Sequence, residues 1–283
     1  MNAYSPLNSP KTDASQVEEL ISRISNEPAS QNELKLALSL VDLTTLEGKD
    51  TDESVRALCR KAHETGTAAV CVYPAMVAVA KQQLKSSGRK VASVAGAFPS
   101  GQLPLNLRLA EVKYAIEQGA DEIDMVISRG KFLEGNYDVI YEEIAAFKAV
   151  CGAVTLKVIL ETGELETLDN IRLASDIALH AGADFIKTST GKIVVNATLP
   201  AVCVMLQAIK DFQISSGKKC GIKPSGGISD GNTAAKYLRL AEMILGKEWL
   251  TPALFRFGAS RLVDNLFAEI NGVQQSNTKA GGY

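Results

Sequence analysis

From about Leu36 onward, short apolar segments alternate with amphipathic helical ones at a period of roughly 25–35 residues, and this alternation constrains the fold most. The segments with strand character are LSLVDL (38–43), AAVCVY (68–73), VASVAGAF (91–98), EIDMVI (122–127), VTLKVIL (154–160), DFIKTS (184–189), CGIKPS (220–225) and LFRFGA (254–259). The stretches between them read as helices. In Glu53–His63, Val55, Leu58, Cys59 and Ala62 share one face, and Asp50 with Glu53 resembles a capping box. Strands separated by helices pair in parallel, because parallel neighbours need long crossovers. Eight such units predict an α/β protein with a single (β/α)8 TIM barrel, and 283 residues suit a fold that typically takes about 250. An open doubly wound sheet is the alternative, since periodicity does not encode closure. No Pro/Gly/Ser linker breaks the repeat. The expected organisation is an N-terminal extension over residues 1–35, with a short helix around Val17–Ile24, a barrel over 36–270, and a flexible polar tail over 271–283.

Composition removes several function classes. A formal net charge of −2 gives no footprint for nucleic acid or an anionic membrane surface. No apolar run approaches the ~18 residues of a membrane span. The first residues lack a signal or transit pattern, so a cytoplasmic location is expected. Cys59, Cys71, Cys151, Cys203 and Cys220 are scattered, which argues against a disulfide framework or structural zinc. The two histidines, His63 and His180, each precede a glycine, Gly66 or Gly182, at the end of a helical segment. Imidazole there suits the negative end of the helix dipole. Zinc-dependent or His-triad chemistry thus loses its usual groups, and neither metal nor cofactor is expected.

Ionisable residues inside apolar strands carry the functional signal. Asp124 lies within EIDMVI, Lys157 within VTLKVIL, Lys187 within DFIKTS and Lys223 within GIKPS. Lysine and aspartate are rarely buried unless paired or used. Period-two alternation sets Lys157 opposite Leu156 and Val158, and Asp124 opposite Ile123 and Met125. With the apolar partners against the helices, three amines and one carboxylate point into the lumen, near the end where barrel active sites lie. An amine close to another ammonium in a desolvated pocket loses its proton more readily. Lys187 and Lys223 are the natural pair for a carbonyl-attacking lysine. Glycine-bearing turns, STGK (189–192), SGG (225–227) and FGAS (257–260), follow strands six to eight, where barrels often bind phosphate. STGK is not a P-loop, because position 186 is Ile and Ile193 follows Lys192.

The motifs VDLTTL (41–46), VCVYP (70–74), GADEIDMV (119–126), LKVILETGEL (156–165), GADFIKTSTGK (182–192), GIKPSGG (221–227) and RFGAS (256–260), with the terminal tyrosine, resemble the deoxyribose-phosphate aldolase family from about Leu38 to Tyr283. The resemblance implies a class I aldolase that cleaves a small phosphorylated aldose, 2-deoxyribose 5-phosphate, in deoxyribonucleotide breakdown. It implies that Lys187 forms the Schiff base, Lys223 perturbs it, Asp124 relays protons and Tyr283 assists proton transfer at carbon 2. It maps the phosphate site to Gly191, Lys192, Gly226, Gly227, Gly258 and Ser260, and a substrate-side polar set to Cys71, Asp42 and Thr44, with Lys157 beside them. Arg261 departs from the second serine of close relatives. Family members are commonly monomers or dimers, so a homodimer is the expected assembly, with no nucleic-acid or membrane partner. Rival readings are another Schiff-base barrel acting on ketoses, and a barrel that serves only as a binding scaffold.

Overall fold

Apolar runs flanked by helices can hide both faces of a parallel sheet, and all of the runs named above contain strands. The computed structural model describes residues 9–272. Two helices, α1 (Ala14–Ser22) and α2 (Gln31–Ser39), precede the first strand. The first half continues β1 (Val41–Thr44), α3 (Asp52–Thr65), β2 (Ala69–Val72), α4 (Val77–Gln83), β3 (Lys90–Ala95), α5 (Leu105–Glu117), β4 (Glu122–Val126), α6 (Arg129–Leu133) and α7 (Tyr137–Cys151). The second half runs β5 (Thr155–Ile159), α8 (Leu168–His180), β6 (Phe185–Lys187), α9 (Leu199–Ser216), β7 (Gly221–Lys223), α10 (Gly231–Leu245), β8 (Phe257–Ala259) and α11 (Arg261–Asn271). Neighbouring strands pair in parallel in the order β7-β6-β5-β4-β3-β2-β1-β8. Bridges from Ile222 to Phe255 and from Ser225 to Gly258 join the two ends of that order. The sheet therefore closes, and the open-sheet alternative falls.

Alternation along the strands separates two environments. Ile123, Met125, Leu156, Val158, Ile186 and Ile222 are buried in the main core shared with the helices. Each such side chain contributes about 1.5–3 kcal/mol by leaving water. Asp124 pairs in register with Lys157, and Lys187 with Lys223, so their side chains lie on the opposite, inner face.

The helix ends refine the sequence reading. Thr51, not Asp50, caps α3, in a reciprocal box with Ser54. Asp50 instead accepts from Thr45 Oγ1 and the Glu47 amide, bracing the loop after β1. His63 lies in the last turn of α3 and His180 ends α8, as the dipole argument expects. Helix α2 runs across the expected boundary at residue 35, started by a capping box between Ser30 and Glu33. It packs on α10 and α11, while α1 packs on α9. Arg239 of α10 binds Glu33 and donates to the carbonyls of Ser25, Glu27 and Pro28. The described part of the extension is thus clasped to the barrel wall. No helix among the described residues is long and apolar enough to cross a membrane.

Candidate active site

The inner faces of five strands and the segment before β8 converge on one buried cluster. Asp124 sits at its centre. Its Oδ2 accepts from Lys187 Nζ at 2.8 Å and Lys223 Nζ at 2.7 Å, and its Oδ1 from Lys157 Nζ at 2.8 Å. Lys223 also donates to Asp42 Oδ2 at 2.5 Å. Lys157 pairs with Glu122 at 2.5 Å, and Arg256 spans Asp42 (2.5 Å) and Glu122 (2.8 Å). All seven groups are buried.

Counting charge decides what this cluster can do. Asp42, Glu122 and Asp124 supply three negative charges, and Lys157, Lys223 and Arg256 supply three positive ones. Lys187 is the fourth cation, left over once the others are paired. A buried charge without a dedicated counter-charge is costly, so the site favours a neutral amine there. The directions in which burial and neighbouring charges push these groups agree. Burial pushes Lys187 below the ordinary lysine range; Asp124 opposes this and the Lys223 ammonium adds to it. Lys223 is also opposed by burial, but the Asp124 and Asp42 carboxylates outweigh that and hold it above its ordinary value. Lys157 is raised in the same way by Asp124, Glu122 and Asp42. Asp124 and Asp42 lie well below the carboxylate range: burial would raise them, and the surrounding cations overcome it. Two lysines adjacent in register therefore titrate in opposite directions. The sequence reading made the neighbouring cation the agent of the Lys187 shift, whereas desolvation leads.

Lys187 is the member of this cluster that reaches a cavity of ≈ 450 Å³ at the carboxyl ends of the strands. The cavity wall includes Thr44, Thr190, Gly191, Lys192, Asn196, Gly226, Gly227, Gly258, Ser260 and Arg261. The three glycine turns thus meet on one wall, at the start of α11, where backbone N–H groups and the helix dipole suit an anion. Gly258 is required by close approach: a Cβ there would lie 2.7 Å from Ser225 Oγ and 3.1 Å from Lys223 Cε. Thr188 and Ser225 exchange hydrogen bonds and tie the turns after β6 and β7 together. Lys192 reaches Glu47 of the first loop at 3.1 Å. Glu161, fully buried and left-handed at φ 57°, accepts from the Thr190 amide and hydroxyl and from Arg129. Burial raises its carboxyl, even though these donors favour the charged form.

The expected phosphate residues and Thr44 line this cavity, and Asp124 and Lys223 stand directly behind Lys187. Asp42 and Lys157, expected on the substrate side, lie fully buried beneath it in the ion-pair cluster. Cys71 is buried too, in a small apolar group with Leu46, Ala92 and Val94, and burial pushes its thiol up. The expectation of one carboxylate with three amines needs correction, because Asp42, Glu122 and Arg256 complete the set. Tyr283 lies outside the described residues. Sequence reasoning passed over Glu122, Arg256 and Glu161, although all three stand in motifs it quoted. Of the three, Glu161, directly after the apolar run VTLKVIL, offered the signal of a charge in a buried stretch.

The sequence of the chain is similar to those of known proteins. The chain is 48% identical over 252 residues to a deoxyribose-phosphate aldolase of Homo sapiens, covering 83% of this chain and 79% of that protein. It is 48% identical over 250 residues to one of Agrobacterium fabrum, covering 87% and 95%. A tetrameric deoxyribose phosphate aldolase from Aeropyrum pernix superposes with a TM-score of 0.70 at 27% identity, covering 91% of this chain and 98% of that one. The pattern of the DeoC/LacD family aldolases matches residues 36–262, which is most of the barrel. That span carries every strand and the whole of the buried cluster, and this chain belongs to the DeoC/LacD family of aldolases.

Proposed function

We propose that the chain is a metal-independent, class I deoxyribose-phosphate aldolase. It cleaves 2-deoxy-D-ribose 5-phosphate reversibly to D-glyceraldehyde 3-phosphate and acetaldehyde through a Schiff base on Lys187. The observation that carries this reading is the surplus amine: Lys187 faces the cavity, and the carboxylates around it are already matched by other cations. The names of the relatives from both organisms support the substrate.

In this reading the neutral amine attacks the C1 aldehyde of the open-chain sugar, and loss of water gives an iminium. The glycine turns after β6, β7 and β8 hold the phosphate and set the distance from C5 to C1. Asp124, through a water and beside the Lys223 ammonium, takes the proton of the C3 hydroxyl. The C2–C3 bond breaks, C3 becomes the aldehyde of glyceraldehyde 3-phosphate, and the electron pair moves into an enamine. Protonation at C2 restores the iminium, and hydrolysis frees acetaldehyde and the amine. The Asp124 carboxylate is a weak base because cations surround it, so it hands the proton back through the same water, and that proton serves the protonation at C2. A cytoplasmic location belongs to the same reading, supported by five buried, unbridged cysteines. A homodimer is the assembly we expect; a constant monomer mass in sedimentation at high concentration would remove it.

Borohydride reduction in the presence of substrate tests the proposal. Peptide mass spectrometry should find the adduct on Lys187. An adduct on another lysine, or turnover with no adduct, refutes the assignment.

A further inference from the structure

We infer that Asn196 recognises the hydroxyl on the carbon next to the phosphate-bearing carbon of the substrate. The inference rests on the function proposed above and adds the group by which the site selects its sugar. Asn196 stands in the loop between β6 and α9, on the wall of the cavity that holds Lys187. Its Nδ2 donates to the Ile193 carbonyl at 2.9 Å, which fixes which end of the carboxamide is oxygen. Its Oδ1 is buried and accepts nothing from the described residues. Among the described residues, the other buried side-chain oxygens in that condition are the hydroxyls of Thr162 and Ser189. Hydroxyls can rotate to donate elsewhere, and neither of these lines the cavity. An amide oxygen only accepts. Such a group, buried on a cavity wall, calls for a donor brought by the ligand.

The chemistry of the substrate identifies the donor. A phosphate dianion offers acceptors alone and would repel the amide oxygen. The open-chain sugar carries donors at C3 and C4. The C3 hydroxyl gives up its proton beside Asp124, at the floor of the site. The C4 hydroxyl lies between C3 and the phosphate-bearing C5, hence between Lys187 and the glycine turns. Asn196 occupies that region, because its side chain lies over Gly226: a Cβ at Gly226 would fall 2.5 Å from Oδ1. The surroundings hold the loop in place. Ala197 donates its amide to the Ser225 carbonyl at 3.2 Å, and Thr198 caps α9. In the synthetic direction the recognised group is the C2 hydroxyl of glyceraldehyde 3-phosphate.

The test compares acetaldehyde addition to glyceraldehyde 3-phosphate with addition to 3-phosphooxypropanal, which keeps the three-carbon spacing and lacks only this hydroxyl. The wild-type protein should favour the first in kcat/KM. Asn196→Leu should lower kcat/KM for glyceraldehyde 3-phosphate about tenfold and leave 3-phosphooxypropanal within about twofold, so that the preference collapses. Asn196→Asp, which keeps the acceptor, should retain the preference while slowing both reactions, since it adds a negative charge near the phosphate. Equal slowing of both substrates by Asn196→Leu, or no slowing, overturns the inference. So does a wild-type protein indifferent to the hydroxyl, which needs no variant to fold. Wild-type protein that adds acetaldehyde to neither aldehyde overturns the proposed function and this inference together. Activity on both aldehydes, with a ratio that Asn196→Leu leaves unmoved, overturns the inference alone.

Discussion

The inner and outer faces of the same strands obey opposite rules. On the outer face, Ile123, Met125, Leu156 and Val158 sink into an apolar layer where any residue of similar volume would serve. On the inner face, Asp124 and Lys157 belong to a cluster in which every group except Lys187, which pairs with Asp124, is held by two or more others. Outer positions contribute stability additively and in small amounts. Inner positions share one charge balance, so a single change disturbs several partners. The protein has placed its chemistry on the face where substitutions cannot be independent.

The largest effect that would sharpen this contrast is expected from Lys187→Met. Turnover should fall by at least about 10⁴-fold, as for groups that work as a unit. The urea midpoint at pH 7 should nevertheless rise. Lys187 has a lowered value in the folded state, so below the unfolded lysine value of about 10.4 its protonation disfavours folding. A lowered midpoint would break the surplus-cation argument. Arg256→Met should act in the opposite sense, costing about 3–5 kcal/mol by stranding the Asp42 and Glu122 carboxylates, as measured by urea unfolding. Lys223→Leu should give a smaller change of defined sign. Without that ammonium Lys187 holds its proton more tightly, so the rise of kcat/KM with pH moves to higher pH and borohydride trapping at neutral pH slows. Phosphate binding should change less than trapping does, and equal trapping rates in the two proteins would count against a role for Lys223. The smallest effect belongs to the outer face: Ile123→Val should cost about 0.5–1.5 kcal/mol and leave kcat/KM unchanged. A change in kcat/KM there would show that the two faces are not separate.

The pH dependence of stability follows from the same cluster. Asp42 and Asp124 have folded values below the unfolded one, so their contribution is complete above about pH 4 and fades as acid takes the solution below it. Lys157 and Lys223 have raised values, and their contribution is complete below about pH 10.4 and fades as the pH rises through the folded values. Between these limits Lys187 supplies the slope: because its folded value is lowered, the urea midpoint should fall as the pH drops below about 10.4 and level off once the pH is below that folded value.

Much of this was legible because a doubly covered parallel strand is an apolar run, against which Asp124, Lys157, Lys187 and Lys223 stand out. Glu122 and Arg256 did not. One opens β4 and the other precedes β8, where charges ordinarily meet solvent. Only closure of the barrel brings position 256 against positions 42 and 122. Helix α2 was readable in its Ser30–Glu33 box, but nine residues of modest amphipathicity leave little periodic signal. Asn196 is a neutral side chain in a loop, and its significance rests on an unmet hydrogen bond that no pattern of letters records.

The barrel's seam lies between β7 and β8, where two isolated bridges do the work that continuous ladders do elsewhere. One of those bridges joins Ser225 to Gly258, within the turns that gather at the anion wall. A sugar phosphate seated across these turns would rivet the last joint of the cylinder. Occupancy should then slow the opening of this edge more than any other, visible as amide exchange protection concentrated in β7 and β8.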